Sequence, residues 1–229
     1  METLIGQLKE KDGDELTFKI KDIDEFNFTR LSELSDGGVP TAGIQFDDKR
    51  FISADQRKKA YAILNDISNH FGYYDIQFIK DEMKLLFFKK GIVSDWFSLS
   101  NCSMSVARDF ISFLIEFCIE NGIHLHAHPH KLTEDIDRYI YACLVNRVCC
   151  ITGEPNADIH HVTGSRVGMG RDRNTVNHAK LELIPLNRFW HNRVHEQGEK
   201  EVFETFHVYG IKLKVEDLKK IGLKGEDIT

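Results

Sequence analysis

Two periodicities divide this chain. Up to about residue 50 the apolar residues tend to alternate with polar ones. Leu4-Ile5-Gly6-Gln7-Leu8 and Leu16-Thr17-Phe18-Lys19-Ile20 both follow the two-residue period of strands, with Asp12-Gly13-Asp14 as the turn between them. Ser35-Asp36-Gly37-Gly38-Val39-Pro40 reads as loop, and Gly43-Ile44-Gln45-Phe46 as a further strand. From Ser53 the period becomes helical. Ser53-Ala54-Asp55-Gln56 is a capping-box pattern, Ala60, Ile63, Leu64, Ile67 and Phe71 follow at helical spacing, and Gly72 stops the helix. Residues 75–90 predict a second helix, although Leu85-Leu86-Phe87-Phe88 fits a strand as well. After an extended piece at Asp95–Leu99, a third helix runs from about Ser103 through Val106, Phe110, Phe113, Leu114 and Phe117 to Asn121-Gly122. Its aromatic stripe suits core or dimer packing better than base stacking.

Thr133 is placed to cap a helix from Glu134 to about Asn146, with Ile136, Ile140, Cys143 and Leu144 on one side. Ile159–Val162 and Leu183–Leu186 are short apolar strands, and the second leads into a helix that Gly198 ends. A short helix from Glu199 to His207, an extended Ile211–Leu213 and a last amphipathic turn at Val215–Ile221 complete the pattern. His124-Leu125-His126-Ala127-His128-Pro129-His130 reads as a connecting strand or linker with exposed histidines, although histidines alternating onto one face could bind a metal. Together these predict an α+β chain: an N-terminal mixed strand/helix domain over residues 1–130 and a second domain over 131–229.

Composition narrows the setting. A 41% hydrophobic content with sixteen phenylalanines is enough for a packed core, and no run approaches the ~20 apolar residues of a membrane span. With its first ten residues charged, no secretion signal is expected, and five cysteines without regular spacing suit a reducing compartment. The expected location is the cytoplasm. Cys143, Cys149 and Cys150 read as small buried residues. The net charge of −6 is uneven: residues 1–50 hold twelve acidic and seven basic side chains, whereas residues 160–200 hold seven basic and four acidic. A polyanion would approach the second region.

The chemistry lies in the same region. Residues 149–195 contain five of the eleven histidines. His191 and His195 are one helical turn apart and can grip one ion, and on a strand one of His160 and His161 faces that ion while the other faces away. Three imidazole ligands beside one unligated imidazole are what metal-assisted hydrolysis requires, the ion holding an anionic oxygen and the spare histidine taking a proton from water.

Strand, loop, strand and a helix bearing H-x-x-x-H resemble the ββα-metal finger of HNH endonucleases, a likeness covering about fifty residues. The resemblance implies that His160, His191 and His195 are metal ligands and His161 the general base of phosphodiester hydrolysis, leaving a 5′ phosphate and a 3′ hydroxyl. Arg166, Arg171, Arg173 and Arg188 are the expected DNA contacts. The ion would be a single divalent metal, Mg or Mn in turnover, with Zn or Ni also accepted by imidazoles. There are two departures from the family. Its strand asparagine, which orients the base, is replaced at that spacing by Glu182, so the base-orienting contact is sought at Glu182 or in the loop at Asn177 or Asn174. The two C-x-x-C pairs of many such modules are incomplete, since Thr152, Gly153, Asn187 and Trp190 stand in the partner positions. No structural zinc is therefore expected.

Two earlier segments, FISADQRKKAYAILNDISNHFGY and SNCSMSVARDFISFLIEFCIENGI, look like helices of the phage Orf (NinB)-type recombination mediators. The signature is Ser53-Ala54-Asp55-Gln56-Arg57-Lys58 with Ser103-Met104-Ser105, and the likeness covers roughly residues 50–128. It implies a homodimer that binds DNA and contacts single-strand-binding protein. Together the two resemblances describe a metal-dependent DNA endonuclease of phage recombination, in the host cytoplasm if phage-encoded. The alternatives are a non-catalytic single-stranded DNA-binding mediator and a purely structural zinc module.

Overall fold

The computed structural model describes residues 6–20, 50–73, 75–163 and 176–226. The chain divides into two compact units, residues 1–47 and 48–229. In the first, β1 (Gly6–Asp12) and β2 (Glu15–Ile20) form an antiparallel hairpin with a bulge between Leu8 and Glu10. Gly13, at φ 53°, supplies the left-handed turn residue between them. The expected strand at Gly43–Phe46 and the loop at 35–40 lie outside the described residues.

The second unit begins with a helical layer. α1 (Ala54–Phe71) opens on the capping box foreseen: Gln56 N–H donates to Ser53 Oγ at 3.0 Å, and Ser53 N–H donates to Gln56 Oε1 at 3.0 Å. It ends at Gly72 in the left-handed conformation, φ 72°. The same opening residues dock the helix. Gln56 Nε2 donates to Met104 O and to Glu134 Oε2, while Arg57 donates to Leu99 O and Ser100 O. The SADQRK signature thus ties α1 to α3 (Met104–Glu120), whose N-cap is Ser103.

The ambiguous Leu-Leu-Phe-Phe run is helical, within α2 (Ile76–Lys89). Phe87 turns inward, with ring centroids 5.7 Å from Phe97, 5.3 Å from Phe110 and 5.4 Å from Phe113. The α3 stripe is therefore core: Phe110 and Phe113 are buried with Ile63, Leu64 and Ile67 of α1. Phe110→Ala should cost about 3–5 kcal/mol through lost transfer energy and the cavity left behind. Chemical denaturation followed by circular dichroism would measure it.

α4 (Pro129–Leu132) is a single turn inside the histidine-rich segment expected as a strand or linker; Pro129, at its first position, fixes a helical φ there. α5 (Ile136–Asn146) follows, and its N-cap is Asp135, which accepts from Arg138 N–H, not Thr133 as the sequence suggested. Thr133 Oγ1 instead bonds the Asp135 backbone at both N–H and O. α5 buries Ile140, Cys143 and Leu144 and packs against both α3 and the second sheet. One hydrophobic core therefore runs through residue 130, inside the second unit. Cys143, Cys149 and Cys150 are all buried free thiols.

The second sheet pairs β3 (Asp158–His161) with β4 (Leu183–Leu186) antiparallel, His160 opposite Ile184 and His161 opposite Leu183. The four β4 residues are buried. α6 (Arg188–Gln197) follows immediately, N-capped by Asn187, which accepts from Trp190 N–H at 3.0 Å. Asn187 Nδ2 also donates to Glu154 Oε2 at 2.5 Å and to Thr152 Oγ1 at 3.5 Å, so hydrogen bonds fasten the 149–155 loop to the helix start. α7 (Glu199–Phe206) and α8 (Val215–Lys220) complete the chain. Between them Ile211 bridges Leu183 through two backbone hydrogen bonds. Gly210 permits that approach, because a Cβ there would collide with Val162 Cγ2. The molecule is α+β, with eight α-helices and two small antiparallel sheets among the described residues. No helix of these is long and apolar enough to cross a membrane.

Candidate metal centre

Antiparallel β3–β4 and the short step into α6 bring three histidines together. A strand puts alternate side chains on opposite faces, so His160 points inward toward α6 and His161 outward. A four-residue step in α6 stacks His191 over His195 on the face opposite His160. The ring centroids form a triangle with sides of 5.1 Å (His160–His191), 4.9 Å (His160–His195) and 5.0 Å (His191–His195). One candidate donor nitrogen from each lies within 4.8 Å of the others, and no other such cluster of His, Cys, Asp and Glu occurs among the described residues. His160 is fully buried, His191 half-buried and His195 exposed, so the triangle opens to solvent on one side.

Two carboxylates set the tautomers. Glu199 Oε1 lies 2.9 Å from His160 Nε2, and its Oε2 accepts from Thr163 N–H at 2.7 Å. Burial, the largest influence on Glu199, pushes its pKa up. The hydrogen bonds from Thr163 and His160 outweigh it and hold the carboxyl below its ordinary value. An ionised carboxylate only accepts, so His160 carries its proton on Nε2 and keeps the Nδ1 lone pair for an ion. Asp158 Oδ2 lies 3.3 Å from His191 Nδ1, which leaves Nε2 of that ring. Asp158 also pairs with the exposed Arg188, Nε to Oδ2 at 3.1 Å. Burial lowers the pKa of both His160 and His191, against the upward pull of Glu199 and Asp158. Both rings are therefore biased toward the neutral form that binds metal.

This donor set fits a divalent ion. It offers three imidazoles on rigid elements, two of them oriented by carboxylates, with one side open for water or phosphate. Glu199→Gln should weaken metal affinity ~10–100-fold while the fold persists. Titration calorimetry with Zn or Mn on the purified chain would read that loss directly.

His161, on the other face of β3, contacts His178: Nε2 to Nδ1 is 3.0 Å and the rings are 5.1 Å apart. His178 opens a 3₁₀ turn, His178–Lys180, and is fully buried. Asn177 caps the 3₁₀ turn through Ala179 N–H at 3.1 Å and bonds Glu226 through both amide atoms. Glu182 lies just before β4, its carbonyl accepting from Val162 N–H at 3.1 Å. Asn174 and the arginines 166, 171 and 173 lie outside the described residues. The residues that sequence reasoning missed are Asp158, His178 and Glu199. Asp158 had a signal, since it shares its face of β3 with His160. His178 was visible as the fifth histidine of the segment, and Glu199 had no signal at all.

A family model described as "Putative HNHc nuclease" matches residues 23–226 of the chain. No curated protein and no solved structure matches it.

Proposed function

Because the chain belongs to the HNHc nuclease family, we propose that it hydrolyses phosphodiester bonds of DNA with one divalent ion held by His160, His191 and His195. The observation that carries this reading is the convergence of those three rings within 4.8 Å, with His161 on the opposite face of the same strand. His160, His191 and His195 would hold the ion, which would supply Lewis acidity to the scissile phosphate. His161 takes a proton from the attacking water. The water oxygen bonds to phosphorus as the bond to the 3′ oxygen breaks, and that oxygen takes a proton from solvent. The products are a 5′ phosphate and a 3′ hydroxyl. Arg188, Arg166, Arg171 and Arg173 offset the phosphate charge, a role that fixes position without reading sequence.

The finer reading is an enzyme of phage recombination, active in the host cytoplasm as a homodimer. In it the region before residue 130 engages DNA and single-strand-binding protein, and residues 131–229 cut. The helix resemblance over residues 50–128 supports it. A non-catalytic mediator is the second reading, favoured by Glu182 at the position of the family's asparagine. One assay separates the two: cleavage of plasmid and single-stranded DNA in Mg or Mn, with a chelator control. Chelator-sensitive nicking is expected. Tight DNA binding without nicking in either metal would favour the mediator.

A further inference from the structure

We infer that His178 is the positioning residue of the base, accepting a hydrogen bond from His161 Nε2–H and so fixing the tautomer in which His161 can take a proton at Nδ1. The inference rests on the reading of His161 as general base. His161 Nε2 and His178 Nδ1 lie 3.0 Å apart, so a hydrogen bond between them takes its proton from one ring or the other. If His178 donates, His161 keeps its proton on Nδ1, and neither nitrogen of the base can accept another. If His161 donates, its Nδ1 carries the lone pair that the reaction needs. When Nδ1 then takes the proton of water, the Nε2–H bond to His178 remains and stabilises the imidazolium formed.

His178 is built to hold rather than to follow. It is 1% exposed. Its N–H donates to Lys224 O at 3.0 Å, and its carbonyl accepts from Leu181 N–H at 3.0 Å. The preceding Asn177 bonds Glu226 through both amide atoms and caps the turn. The strand register holds His161 opposite Leu183. Two side chains on independently fixed backbones, joined by one hydrogen bond, give a ring orientation set by the fold. That supplies the contact for which the sequence, with Glu182 at the expected spacing, offered no asparagine.

The test compares His178→Leu and His178→Asn in the full chain, with His161→Ala as the reference and manganese as the metal. Plasmid nicking is resolved into kcat and KM, and metal affinity is measured separately. The leucine removes the acceptor; the asparagine can place its side-chain oxygen where Nδ1 stood. His178→Leu should lose about 10²-fold in kcat, the scale of a misplaced catalytic group, with KM and metal affinity unchanged. His178→Asn should recover most of that loss. Wild-type kcat in His178→Leu beside an inactive His161→Ala would overturn the inference and leave the base reading intact, as would equal losses in the leucine and asparagine variants. Full activity in His161→Ala would instead sink the base reading and this inference with it. Should His178→Leu fail to fold, imidazole ¹⁵N shifts of the zinc-loaded wild type decide: a proton on His161 Nε2 supports the inference, and one on Nδ1 overturns it.

Discussion

Replacing His191 by alanine should abolish both metal retention and DNA cleavage. His191 lies between two demands, its ring 5.1 Å from His160 and 5.0 Å from His195, with Nδ1 against Asp158. Its removal takes away one of three donors and leaves Asp158 paired with Arg188. The fall in affinity should exceed the ~10–100-fold expected from losing an outer hydrogen-bond partner. Equilibrium dialysis with zinc and nicking in manganese would read the two losses together. Retained stoichiometric metal would show that the ring is not a ligand.

His161→Ala should behave in the opposite way with respect to metal. The ring lies on the other face of β3 from the triangle, so its removal leaves all three donors in place. Cleavage should fall by ~10²–10⁴, the contribution of a positioned general base, while zinc affinity stays at the wild-type value. Undiminished cleavage would remove His161 from the chemistry. Loss of metal would make it a ligand and close the open position that hydrolysis needs.

The parts of this fold visible in the sequence are those governed by neighbours along the chain. Ser53 and Gln56 are three apart, so the capping box of α1 could be read directly, and Gly72 marked its end. The Leu85–Phe88 run could not be decided locally. What makes it helix is Phe87 meeting Phe97, Phe110 and Phe113, partners supplied by the following loop and by α3. Thr133 and Asp135 are both good capping residues within three positions, and the choice fell to the one whose carboxylate reaches Arg138 N–H.

The metal centre divides in the same way. His191 and His195 were legible from helical period, a local signal, whereas strand alternation said only that one of His160 and His161 faces the ion and the HNH resemblance singled out His160. Glu199 reaches His160 from the start of α7, and His178 reaches His161 only because the chain returns along β4. Contacts of that kind depend on how elements dock, and no spacing rule announces them. The asparagine position predicted from the resemblance is Glu182, and the fold places His178 Nδ1 3.0 Å from His161 Nε2.

The most direct test is a metal-bound crystal structure of the full chain, with the ion located by anomalous scattering. The account predicts one ion about 2.0–2.1 Å from a nitrogen of each of His160, His191 and His195, with an open position and His161 unligated. An ion held elsewhere, or one closed off by His161 as a fourth ligand, would contradict it.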